Sequence, residues 1–304
     1  MLYILSCGPG LSQSSVELYR AGISELDQGQ YLEAERKFRE ALAAVDPGDE
    51  SGPLTMLGLA QALIPQEKFA EAERIVRTAV KRLDTASVAH QKAAAGAMQS
   101  LAVVYCAARR LKEAEIMARR ALSIFPPGDG DPDRAAVLAV LGQILAQQGR
   151  RKAAIVQLTQ ALPSFRHDSP EQTAVLCMLG SVHFEEKQWD DAARYYGRAM
   201  ELPLPRHPVT AICKTGMASL ELKRGTPAKA LELSAEAVAL ASQVLPPTHR
   251  SFAAVLSTHA RVLRALGRKD EARTLEARAR EIVHAYSPDP KLANQVHVSA
   301  LCGK

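Results

Sequence analysis

The chain has 304 residues, 47% of them apolar but only 5% aromatic, and its 51 alanines make up one residue in six. The 38 Lys and Arg against 33 Asp and Glu leave a net charge of +5, and 23% of residues are charged. That balance excludes wholesale disorder and makes no case for nucleic acid by itself. No run approaches the roughly 18 consecutive apolar residues of a membrane-spanning helix, so none is expected. An interior filled with Ala and Leu predicts an all-α fold, because a β-sandwich needs far more β-branched and aromatic side chains.

Residues 1–13 form an N-terminal segment. Within it, Ile4-Leu5-Ser6-Cys7-Gly8 resembles the end of a bacterial lipoprotein signal. Only six residues precede Cys7 and none is basic, so a working signal would require a start upstream. In that case Cys7 would carry the lipid and the protein would be an envelope lipoprotein.

From residue 14 onward the chain repeats itself. The phrase Gly29-Gln30-Tyr31-Leu32-Glu33-Ala34 returns in altered form six times, with anchoring alanines at 34, 72, 114, 154, 192, 230 and 272. Two further columns test that register. Seven residues after each anchor stand Ala41, Ala79, Ala121, Ala161, Ala199, Ala237 and Ala279. Twelve residues before each stand Gly22, Ala60, Ala102, Gly142, Gly180, Ala218 and Ala260. Each unit reads as two helices. The first carries the small residue and an apolar stripe, as in Leu138, Leu141, Leu145. The second opens at the anchoring phrase, as in Ala34, Phe38, Ala41. Asp131-Pro132 and Ser169-Pro170 read as helix starts, and Pro126-Pro127-Gly128 and Pro246-Pro247 as stops. In the second repeat Pro65 falls late in the first helix and predicts a kink. Residues 287–304 follow the array, with Lys291–Leu301 as a final capping helix.

Small–x11–Ala–x3–large–x2–Ala with proline after the second helix resembles the tetratricopeptide repeat (TPR). The 38- to 42-residue spacing of the anchors resembles the longer units of kinesin light chains and many bacterial members. The large position fits at Phe38, Val76, Leu158 and Tyr196 but not at Ala118, Ser234 and Glu276. The resemblance implies a right-handed α-solenoid of about seven helix-turn-helix repeats over 14–286, acting as a scaffold for other proteins.

Enzyme signals are absent. There is no H-E-x-x-H, G-x-S-x-G, P-loop or G-x-G-x-x-G, and no two histidines stand at i, i+4. Asp129–Asp133 lacks the glycine and glutamate of a calcium loop and reads as an acidic linker. His207 and His249 read as linker caps or exposed side chains, and Trp189 as a packing residue. No catalysis, metal or cofactor is expected. Paired arginines such as Arg109-Arg110 are interleaved with acids and lack aromatic platforms, so nucleic acid is not an expected partner. The five cysteines form no C-x-x-C, and reduced core thiols in the cytoplasm are expected.

The family resemblance implies that first helices line a groove for partner segments. Mapped onto this chain, groove-facing positions include Tyr19, Ile23, Leu54, Leu57, Gln61, Gln99, Val103, Ala136, Gln143, Cys177, Ser181, Phe184, Ile212, Thr215 and Ser219, with Ser257, Arg261 and Arg264 in the last repeat. Co-chaperone members grip a C-terminal carboxylate with Lys and Asn. This chain has a single asparagine, Asn294, outside the array, so an apolar or amphipathic protein segment is the expected occupant. Residues 1–50 carry 4 basic and 9 acidic groups and residues 251–304 carry 9 and 5, a tilt that suits head-to-tail self-association.

Overall fold

The computed structural model describes residues 13–27, 30–45, 51–64, 66, 68–83, 88–126, 128, 130–202 and 207–285. The N-terminal segment through residue 12 with Cys7, the kink at Pro65 and the capping helix after 287 lie outside them. The chain divides into two compact units, Met1–Gln148 and Gly149–Lys304. The first holds α1 (Gln13–Asp27), α2 (Tyr31–Ala43), α3 (Ser51–Leu63), α4 (Phe69–Leu83), α5 (Val88–Ala107), α6 (Leu111–Leu122) and α7 (Pro132–Gln147). The second holds α8 (Arg151–Ala161), α9 (Pro170–Glu185), α10 (Trp189–Glu201), α11 (Pro208–Lys223), α12 (Pro227–Val244), α13 (Arg250–Ala265) and α14 (Lys269–Ala285). The described residues contain no strand. Within each unit, consecutive helices pack as hairpins, and the first helices of neighbouring hairpins (α1 on α3 on α5 on α7; α9 on α11 on α13) also touch.

The small columns are the inter-helix contact surface. All seven anchoring alanines are fully buried, and those seven residues later are at most 2% exposed. Alanine fills such close approaches without a void. Where the large position is aromatic, the neighbours give way completely. A Cβ on Gly22 or Gly58 would stand 2.8 or 2.5 Å from the Phe38 ring, and on Gly180 or Gly216 2.7 or 2.5 Å from Tyr196. Each ring is therefore wedged between the first helix of its own hairpin and the first helix of the next.

Helix ends follow local chemistry. The Asp131 carboxylate accepts from the Asp133 amide at 2.9 Å, and the Ser169 hydroxyl accepts from Gln172 at 3.1 Å. His207 and His249 are caps too: their Nδ1 atoms accept from the Val209 and Ser251 amides at 3.2 and 3.1 Å. Between the helices of a hairpin the chain reverses through a left-handed residue, Gly225 or Gly267 (φ 79°), but also Arg109 (61°) and Lys187 (62°). The next amide then bonds back to the first helix, as from Arg110 to the Tyr105 carbonyl at 2.8 Å and from Gln188 to His183 at 2.9 Å.

The cysteines depart from expectation. Cys177 on α9 and Cys213 on α11 are joined as a disulfide, with Cα atoms 5.5 Å apart, a spacing within the range a disulfide spans. Adjacent first helices in a repeat stack lie close enough for a side chain from each to meet, which the periodicity of one repeat alone does not reveal. Cys106 is free and buried, and burial pushes its thiol up to about 11, so it is inert.

Candidate functional site

Each unit presents a cleft on the faces of its first helices. In the first unit a cleft of about 250 Å³ is bounded by α1, α3, α5 and α7. It gathers six of the residues assigned from sequence: Tyr19, Ile23, Leu54, Leu57, Gln61 and Gln99. Leu26, Phe125 and Val137 extend its apolar lining. At one end, Lys92 forms an ion pair with Asp131 at 2.8 Å. Burial pushes the Asp131 carboxyl up, but the Lys92 ammonium and the Asp133 amide together hold it below its usual range. Burial and the neighbouring Asp131 raise Asp133, whose Oδ2 accepts no hydrogen bond.

In the second unit a smaller cleft of about 100 Å³ lies between α9, α11 and α13, with the Tyr196 ring of α10 as its floor. Five assigned residues line it: Ser181, Phe184, Ile212, Thr215 and Ser219. Ile212, 43% exposed, adds an apolar side chain, and Ala254 and Val255 come from α13. The hydroxyls are already engaged. Ser181 donates to the Cys177 carbonyl at 3.0 Å and shares a hydrogen bond of 2.9 Å with the Tyr196 hydroxyl. Thr215 donates to the Ala211 carbonyl at 2.7 Å, and Ser219 to the Thr215 carbonyl at 3.1 Å. Arg261, exposed on α13, reaches back to donate to Ser219 Oγ at 3.1 Å and to Thr258 Oγ1 at 3.2 Å.

Val103, Ala136, Gln143, Cys177, Ser257, Arg261 and Arg264 were also assigned and line neither cleft. Val103 and Gln143 are half-buried on α5 and α7. Cys177 is 4% exposed and bonded to Cys213, so its side chain faces the neighbouring hairpin. The sequence mapping also overlooked Gly96 and Lys92, which continue the Gln99 face of α5 back by one and two turns; the i, i+4, i+7 spacing was there to be followed. It also overlooked Asp133 and Val137, which lie one residue out of register with the assigned Ala136. Trp189 packs edge-on against Phe184 with ring centroids 5.3 Å apart. Among the described residues no group of three or more His, Cys, Asp and Glu could hold a metal ion. No described helix is long and apolar enough to cross a membrane.

Two tetratricopeptide repeat models match the chain, one over residues 92–167 and 209–283 and the other over 19–84. The chain belongs to the tetratricopeptide repeat family, and its fold class is the all-α class predicted from the repeat. Among solved structures, it is similar to the Rap conjugation gene regulator of the plasmid pLS20 in complex with a Phr peptide: 15% identity, TM-score 0.71, covering 98% of this chain and 81% of that one. A Rap protein complexed with Competence and Sporulation Factor is similar at 15% identity and TM-score 0.70, covering 92% and 78%. A tetratricopeptide repeat protein from Parabacteroides merdae is similar at 16% identity and TM-score 0.56, covering 96% and 100%. At these identities the likeness shows the fold. No curated protein matches the chain.

Proposed function

We propose that the protein is a non-catalytic adaptor that holds an apolar or amphipathic segment of a partner protein against its first helices. One observation carries this reading: both clefts are built from first-helix faces, and their polar groups are mainly amides and hydroxyls among apolar side chains. Such a lining offers greasy contact with hydrogen bonds for orientation and no constellation for bond chemistry. The peptide in the structure of the similar pLS20 Rap regulator supports it. Tyr19, Ile23, Leu57, Gln61, Gln99, Ser181, Phe184, Thr215 and Ser219 are the proposed contact residues, with Val103, Gln143 and Cys177 at the margin. The proposed binding module is the repeat region 14–286, and the proposed compartment is the cytoplasm. The test is affinity capture from the native host with the wild type, Gln99→Arg and Ser181→Arg. Partners lost from either arginine variant support the groove, and equal recovery from both places the binding elsewhere.

A second reading is favoured by the Cys177–Cys213 disulfide, because such bonds persist in oxidising compartments. It makes the protein an envelope lipoprotein tethered through Cys7. Mass spectrometry of the native N-terminus separates the two: a lipidated Cys7 establishes the second reading and an unmodified Met1 or Leu2 ends it. The charge tilt further supports end-to-end self-association. A sedimentation profile that shifts toward monomer as salt rises is the expected outcome, and one independent of ionic strength refutes it.

A further inference from the structure

Resting on the groove reading above, we propose that the cleft of the second unit selects a partner segment that presents an acidic side chain to Arg261. Apolar side chains of the same segment sit against Phe184, Ile212 and Val255. Arg261 differs from Arg264, Arg268 and Arg273, each of which is paired with a carboxylate. Arg264 places its fork on Glu276 at 2.6 Å, Arg268 on Glu271 at 2.6 Å and Arg273 on Asp270 at 3.0 Å. The Arg261 guanidinium instead meets two neutral hydroxyls, Ser219 and Thr258, both through Nη2. Its Nε and Nη1 donors remain for a ligand, and a guanidinium edge matches a carboxylate bidentately.

The surroundings set the sign of that ligand. No carboxylate stands among the described residues that line the cleft, whose walls are apolar, hydroxyl and aromatic. Ser219 gives its proton to the Thr215 carbonyl and its lone pair to Arg261, so it orients the arginine. Ser181 is likewise committed to Cys177 and Tyr196. The cleft's polar capacity toward a ligand therefore lies in the Ser251 hydroxyl and one cation beside an apolar seat. A basic segment would be repelled there, and a purely apolar one would leave the cation unused. Val255 and Arg261 are six residues apart on α13, about 9 Å along the helix. The acidic side chain and its apolar anchor should thus be separated by some three extended or six helical residues.

The test is selection of random displayed peptides on the full chain. The enriched sequences are then synthesised with amidated C-termini, so that side-chain carboxylates are the only ones present. The expected result is enrichment of Asp or Glu at that spacing from apolar residues. Arg261→Gln should weaken binding by about ten-fold or more, with part retained by Arg261→Lys. Changing the peptide's acidic residue to its amide should give the same loss in the wild type and none in Arg261→Gln. Peptides without an acidic preference that lose binding only to Ile212→Arg overturn the Arg261 assignment and leave the groove standing. Peptides indifferent to Ile212→Arg, or no enrichment at all, overturn both. Circular dichroism of each variant establishes that it is folded.

Discussion

The Phe38 and Tyr196 rings show how finely single residues are matched. Gly58→Ala would place a methyl group 2.5 Å from the Phe38 ring, and Gly216→Ala the same distance from Tyr196. Each should destabilise by about 1–3 kcal/mol through overpacking. In a Phe38→Leu background the cost of Gly58→Ala should shrink, and urea denaturation of the four proteins of that double-mutant cycle measures the coupling. The histidine caps make a prediction of another kind. Burial holds His207, His249 and His259 below their ordinary value of 6.5. A cap that accepts through Nδ1 requires neutral imidazole. The folded state therefore binds protons less readily than the unfolded one. The contribution is complete above pH 6.5 and is lost as pH falls through the depressed folded values. Thermal melts should show this loss on mild acidification, and His207→Asp with His249→Asp, which cap without titrating near neutrality, should reduce it.

At the scale of the helix, the turn residue and the alanine columns decide stability. Lys187 occupies a left-handed conformation with φ 62°, which costs a non-glycine residue about 1–2 kcal/mol. Lys187→Gly should therefore raise the melting temperature, and Lys187→Val should lower it. Ala199→Leu and Ala161→Phe fill contacts that have no space, since both alanines are at most 1% exposed, and each should cost about 1–3 kcal/mol. An unchanged melting temperature for both would sink the register. These columns were legible in the sequence because a close approach repeated seven times leaves a periodic trace. The clefts were legible where a helix face keeps one offset from its alanine, as at Gln61, Gln99, Thr215 and Ser219. They were not where a helix starts early, as α5 does at Val88, because Lys92 then joins a face counted only from Gln99. The Cys177–Cys213 bond escaped for a different reason. It depends on the rotation of two neighbouring helices, and no spacing along the chain records that angle.

At the scale of the molecule, the packing of neighbouring hairpins within each unit governs how damage spreads. Each hairpin within a unit is held by its nearest neighbours, so stability is close to a sum of local terms. Leu220→Asp buries an unpaired carboxylate at a fully buried position on α11. Hydrogen exchange should then rise in α10 to α13 while α1 to α5 keep their protection. Uniform loss of protection along the chain would count against nearest-neighbour coupling.

The wedged rings also impose a grammar on how the array can grow or shrink in evolution. Removing the hairpin α3/α4 would set Phe38 opposite Ser100, which stands fourteen residues before Ala114 as Gly58 does before Ala72. Removing α11/α12 would set Tyr196 opposite Thr258, fourteen residues before Ala272 as Gly216 is before Ala230, so in both cases a side chain would occupy the space that a glycine leaves open. Units of nearly equal length are therefore not interchangeable modules. A repeat can be deleted or duplicated only where the hairpin that follows supplies a residue small enough for the side chain that precedes it.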